Sequence, residues 1–395
     1  MALRMGWALR AGMLATLVAC GDGGGGSGAG DADGGATSGG GASAGSGDTG
    51  GTNGSCDRMG RDVTEQGGKI LSNLTIVGDT LVYLAGDPKL LMAPTVESVK
   101  VDGTSPAVLY TSTGRRRVRS VFAYGDSVFF YEDNEDVVAK HELFRLPLAG
   151  GEATRVGDVA NEGGYIFGVD ESHVYLVRNT AQPVGSVFER VEIATGALSV
   201  IGTITGTGTP GHVMLSGNDV FFHAGFAGPG ASQPSNVYGF AKDADNATPS
   251  ILWEAGPQDP CGFPLGGLVA TPTKLGCGYG AVASHNRDGS EPLVLIERDA
   301  LAPLNIVVAS DAENLYLIET SSGQARDARM KRTKSTVGEV TNVVCDLGTV
   351  ANQLVDGAFP IAYEWEVVVG ESEVYWIERA RGEDGELYQL RAGAK

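Results

Sequence analysis

The side chains that could do chemistry are few and scattered. The five histidines, His141, His173, His212, His223 and His285, include no H-E-x-x-H and no other pair at metal-ligand spacing. His173 precedes Val174-Tyr175 and His223 follows Phe222, which places both at strand ends. Gly41-Ala42-Ser43-Ala44-Gly45 matches G-x-S-x-G, but a nucleophile elbow needs a strand before it and a helix after it, and this glycine-rich surrounding supplies neither. The run "EDNED" (132–136) offers Asp133, Asn134 and Asp136 as a weak cation site, although the D-x-[DN]-x-[DN]-G calcium loop is absent. Arg115, Arg116, Arg117 and Arg119 concentrate positive charge in an acidic chain, either as a ligand patch or as a solvated loop neutralised by the acidic run. No cofactor motif is present, so a non-enzymatic protein is the first expectation. A site assembled across repeats would leave no spacing signal, which keeps an enzyme as the alternative.

The five cysteines point to the compartment. Arg4 and Arg10 precede the uncharged stretch Ala11–Ala19, which ends in small residues before Cys20, the layout of an export signal. The apolar stretch is shorter than the ~20 residues a membrane-spanning helix needs. Leu17-Val18-Ala19-Cys20 resembles a bacterial lipobox, and the resemblance implies cleavage after residue 19 and lipid on Cys20; an ordinary secretory signal is the alternative. Gly21 in place of aspartate favours the outer membrane. Removing residues 1–19 takes two arginines and no acids, so the net charge moves from −19 to −21. Such a body repels nucleic acid and anionic headgroups, so the membrane is engaged through the lipid alone and nucleic acid is not a partner.

Between Gly21 and Ser55, 17 of 35 residues are glycine and nothing is available for a core, so residues 20–55 are expected to form a lipidated, disordered tether. Its r.m.s. span is expected to be about 30 to 35 Å. Residues 56–395 have the composition of a globular domain.

That domain repeats. "IVGDTLVYL" (76–84), "FAYGDSVFFY" (122–131), "GVDESHVYLV" (168–177), "LSGNDVFFH" (215–223), "ATPTKLGCGY" (270–279), "ASDAENLYLI" (309–318) and "VVGESEVYWI" (369–377) each place a polar turn between two apolar strands. The matching positions are Tyr83, Phe130, Tyr175, Phe222, Cys277, Tyr316 and Tyr375. A second hairpin follows most of them, as in "LFRLPLAGGEATRV" (143–156). Two hairpins every 40 to 50 residues or so predict an all-β fold of four-stranded propeller blades. We count seven blades, or six if the fifth unit, where Cys277 replaces the aromatic, is false. The seventh unit lacks a fourth strand, and Lys69–Leu74 is predicted to supply it from the N-terminal side. On this plan the arginine run is a link between blades and the acidic run a loop, both on one face.

"VYWIE" (374–378), "KVDGTS" (100–105) and "NRDGSEPLVL" (286–295) resemble the YWTD-type propellers of lipoprotein receptors and their bacterial relatives. The resemblance spreads thinly over residues 65–395 and implies a binding scaffold, usually of six blades. With Cys20 lipidated, four cysteines remain and permit three pairings; on the propeller plan Cys56 with Cys345 and Cys261 with Cys277 bring neighbours together. The expectation is a monomeric, lipid-anchored propeller that binds a protein or glycan of the cell envelope. The alternative is an extracytoplasmic lyase, hydrolase or quinone-dependent dehydrogenase with its site at the central channel.

Overall fold

The computed structural model describes residues 60–66, 69–87, 92–114, 116–134, 141–159, 164–181, 183–207, 210–225, 236–254, 267–297, 304–320, 328–345, 347, 366–382 and 385–395. The signal sequence, Cys20, the tether, Cys56, Cys261, Arg115 and Asp136 lie outside the described residues, as does the side chain of Asn134. No described helix is long and apolar enough to cross a membrane.

The described chain is all β and forms a ring of seven four-stranded antiparallel blades. From the innermost strand outward, blade one is Ile70–Val77, Thr80–Asp87, Met92–Lys100 and Ala107–Thr111. Blade two is Arg116–Tyr124, Ser127–Asn134, His141–Pro147 and Thr154–Val159. Blade three is Tyr165–Val169, His173–Ala181, Val184–Glu192 and Leu198–Thr205. Blade four is Gly211–Ser216, Asp219–Ala224, Asn236–Ala241 and Ser250–Trp253. Blade five is Gly267–Ala270, Lys274–Tyr279, Ala281–Asn286 and Leu293–Ile296, so the count is seven and the unit carrying Cys277 is a true blade. Blade six is Leu304–Ser310, Asn314–Thr320, Arg329–Lys334 and Val337–Val344.

Blade seven takes three strands from the C-terminal side, Val367–Val369, Glu373–Gly382 and Gly385–Ala394, and its outermost from the N-terminal side. That outermost strand is Arg61–Gln66, which pairs from Arg61↔Ala392 to Gln66↔Tyr388. The closure is as predicted but the segment is not: Lys69–Leu74 leads into the innermost strand of blade one, where Ile70 pairs with Gly86. Two neighbouring segments, 61–66 and 69–74, can both extend, and only the long pairing of 70–77 with 80–87 decides between them.

The strands are apolar on both faces because each blade is covered on both sides. In blade one, Leu81 and Tyr83 pack toward blade seven while Val82 and Leu84 pack toward blade two, the period-2 alternation of a strand. Seven apolar clusters result, one at each seam between blades. Charged bridges add to them on the face carrying the first hairpin turns. Lys242 of blade four reaches Asp170 of blade three at 2.7 Å, Arg287 of blade five reaches Asp219 of blade four at 2.9 Å, and Lys395 of blade seven reaches Asp311 of blade six at 3.0 Å.

Candidate functional site in the central channel

The innermost strands of all seven blades surround a channel of about 510 Å³, within the range of small-molecule sites. Its wall is mostly Val, Ile, Leu, Ala, Met and Phe, with Asn73, Thr75, Tyr165, His212, Ser216, Ser310 and Glu366 as polar members and no lysine or arginine among the described residues. Most of that polarity is used by the ring itself. The Ala123 amide donates to Thr75 Oγ1 at 3.5 Å, Ser310 Oγ donates to the Ala270 carbonyl at 2.9 Å, and Arg287 Nη1 donates to Ser216 Oγ at 2.8 Å. Glu366, the channel's carboxylate, is 5% exposed and accepts the amides of Asn73 and Leu74, one on each oxygen, at 2.8 Å apiece.

His212 stands apart. Its φ of +48° is left-handed, an uncommon conformation for a residue with a side chain. Its Nε2 is shut off from solvent and has no hydrogen-bond partner among the described residues. Burial pushes its pKa down to about 4, so the ring is neutral at pH 7. The buried His223 ring lies edge-on to it, with centroids 6.4 Å apart.

The residues singled out by sequence lie elsewhere, at the end of blade two. Arg116, Arg117 and Arg119 are on its innermost strand and Asp133 on its second, not in a link and a loop. They do come together, because Arg117 and Asp133 are directly opposed and Arg116 opposes Asn134. Arg119 is paired with Asp133. Arg116 lies 3.3 Å from Glu132 and 3.2 Å from Glu142, and Arg155 holds Glu142 at 3.0 Å. Burial raises the pKa of Glu132, opposed by hydrogen bonds from Tyr110 and Arg116. Arg116 and Arg119 are thus matched by carboxylates of their own blade. Among the described residues no group of three or more His, Cys, Asp or Glu is placed to hold a metal ion, and of the three proposed cation ligands only the Asp133 side chain is described.

Cys277 and Cys345 are both disulfide-bonded. Their expected partners, Cys261 and Cys56, lie outside the described residues.

Sequence reasoning missed Glu366, Asn73, Tyr165 and His212. One signal was present: Asn73 and His212 each stand ten residues before the aromatic of their repeat, Tyr83 and Phe222.

No protein-family model and no curated protein sequence matches the chain. Solved structures do match in fold. An oligogalacturonate lyase in complex with manganese superposes with a TM-score of 0.53 at 13% identity, over 80% of this chain and 86% of that one. The β-propeller domain of the Trilobed protease from Pyrococcus furiosus, described as having an open velcro topology, gives 0.55 at 10% identity over 84% and 94%. Pyrococcus horikoshii acylaminoacyl peptidase gives 0.55 at 11% identity over 82% of this chain and 52% of its own, so this chain spans about half of that enzyme. At such identities the likeness establishes the propeller fold and nothing finer.

Proposed function

We propose that this chain is a non-enzymatic propeller, exported and held to the cell envelope by lipid on Cys20, that binds an envelope protein or glycan as a monomer. The outer membrane is the preferred location. The observation that carries the reading is the chemistry of the channel: its carboxylate is consumed by two backbone amides, and its histidine is neutral with no described acid beside it. General acid–base catalysis needs a titratable group within hydrogen-bond reach of substrate, whereas the oxygens of Glu366 are taken by amides and Nε2 of His212 is shut off from solvent. The acidic body and the receptor-type resemblance point the same way.

The partner surface in this reading is the end of blade two bearing Arg116, Arg117 and Arg119. The chain purified from membranes, and the same chain with these three arginines changed to serine, are exposed to envelope extract. A partner held by the native chain and released by the variant supports the reading; capture unaffected by the substitutions removes the arginines from it.

The second reading is an enzyme with its site in the channel, favoured by the lyase and peptidases that share the fold. A polyuronate substrate would meet a channel whose described wall has no cation and one carboxylate. Turnover of a neutral glycoside or peptide by the purified chain, abolished by His212→Asn, would establish this reading over the first.

A further inference from the structure

The seam between blades three and four repeats the seam between blades seven and one, with one change at its centre. In blade one the pairing passes from Ser72↔Leu84 to Thr75↔Val82, so Asn73 and Leu74 together face Tyr83. In blade four it passes from Gly211↔His223 to Met214↔Phe221, so His212 and Val213 together face Phe222. These are the same bulge, and its first residue is left-handed in both, with φ of +55° at Asn73 and +48° at His212. Among the described residues the other left-handed ones with side chains, Ser105, Asn246 and Glu291, sit in turns between third and fourth strands, where such a conformation is common. Leu74 and Val213 both pack against the preceding blade, so the two bulges are oriented alike in the ring.

Consecutive amides around a left-handed residue make a concavity suited to an anion. In blade one Glu366 demonstrates the fit, placing one carboxylate oxygen on each amide. Glu366 lies opposite Ile377, one step before the pair Val367↔Trp376. Tyr165 lies opposite Val177, one step before the pair Ile166↔Leu176. Tyr165 therefore holds in blade three the place that Glu366 holds in blade seven, and it packs toward blade four as Glu366 reaches toward blade one. A phenol has a single oxygen and no charge at pH 7 with which to bridge two amides. Among the described residues no carboxylate accepts from His212 or Val213.

We propose that the amides of His212 and Val213 bind the carboxylate of a small monocarboxylate with an apolar body, lodged in the central channel beside the His212 ring. The Val, Ile, Ala and Met side chains of the wall suit the apolar body. Fatty acids and the C-termini of apolar peptides share this chemistry. The site is separate from the arginines of blade two, so either assignment can fail without the other.

The test is calorimetric titration of the full chain with octanoate, N-acetyl-leucyl-leucine and 1-octanol, repeated on Tyr165→Glu and Tyr165→Gln. We expect at least one acid to bind ten-fold or more tighter than the alcohol, the tighter acid identifying the source. Tyr165→Glu supplies an internal carboxylate and is expected to weaken acid binding at least ten-fold, while Tyr165→Gln leaves it within three-fold. In the native chain the acid should also shift the amide resonances of His212 and Val213, a readout that holds even if Tyr165→Glu does not fold. The proposal is overturned if neither acid binds more tightly than the alcohol, if those two resonances do not move, or if folded Tyr165→Glu binds as the native chain does.

Discussion

Lys242 Nζ, from the turn joining the third and fourth strands of blade four, donates to Asp170 Oδ2 of blade three at 2.7 Å, and each side chain is 22% exposed. Asp170 also caps its own hairpin, accepting the Ser172 and His173 amides on Oδ1 and the Tyr175 hydroxyl on Oδ2. Asp311 repeats the arrangement with Glu313, Asn314, Tyr316 and Lys395. A carboxylate that closes a turn within one blade thus receives a cation from another, which couples turn geometry to the seam.

Lys242→Met should lower stability by about 1 to 2 kcal/mol, the scale of a hydrogen bond to a charged group in a half-buried pair. Burial of Asp170 opposes its charge, but the Lys242 ammonium, the two amides and the Tyr175 hydroxyl outweigh it and pull the pKa to about 2. Because the folded pKa lies below the unfolded one, the contribution is present above about pH 4 and is lost as pH falls toward 2. The gap in urea midpoint between native chain and variant should therefore be full at pH 6, smaller at pH 3 and closing toward pH 2; a gap at pH 2 as large as at pH 6 would separate the lysine from Asp170.

His212 gives a dependence in a different window. Its pKa is depressed by burial to about 4, so stability is complete above the unfolded value of about 6.5 and declines as pH drops toward 4, because the unfolded chain takes up the proton first. The decline should amount to about 2 to 3 kcal/mol at pH 4. Asparagine tolerates the left-handed conformation and occupies the equivalent position in blade one, so His212→Asn should fold and lose most of this dependence. Denaturant midpoints at pH 7.5 and pH 4.5 check it: an equal drop in both proteins would place the titration elsewhere.

The hairpins, the blade count and closure by an N-terminal strand were legible because they depend on period-2 alternation and turn residues, both local. The column of repeated aromatics was less informative than it looked. Tyr83, Phe130 and Phe222 pack toward the preceding blade, whereas Tyr175, Tyr316 and Tyr375 pack toward the following one. The first hairpins of blades one, two and four turn through pairs such as Gly78-Asp79, while those of blades three, six and seven use longer loops such as Asp170–His173. A slip of one residue sends a side chain to the other face, so aligned letters did not mean aligned directions. The channel site was illegible for a related reason: the correspondence of Glu366 with Tyr165 exists only once the bulges are counted.

The disulfides of Cys277 and Cys345 can be assigned directly. Cys277 is buried on the second strand of blade five, and Cys345 follows the outermost strand of blade six. Non-reducing digestion and mass spectrometry should find Cys261 joined to Cys277 and Cys56 joined to Cys345. A peptide joining Cys56 to Cys261 would rule out this pairing, along with the idea that one bridge reinforces the ring closure.

Ring closure itself rests on the strand Arg61–Gln66. Arg61 donates Nε and Nη2 to Glu373 at 2.9 and 2.6 Å, and Nη2 also to the Val101 carbonyl at 2.7 Å, so one side chain ties blade seven to blade one. Val63 is buried in the same seam. Removing residues up to Gln66 exposes the edge of Gly385–Ala394 and takes Val63 from its cluster, leaving an unpaired strand that invites edge-to-edge association. The truncated chain should aggregate with time and melt well below the native chain. Arg61→Ala should keep the ring closed at a cost of about 1 to 2 kcal/mol, the loss of charge-assisted hydrogen bonds near the surface. Analytical ultracentrifugation and thermal melting distinguish the two, and a truncated chain as stable and monomeric as the native one would show that the seam between blades seven and one holds without the strand.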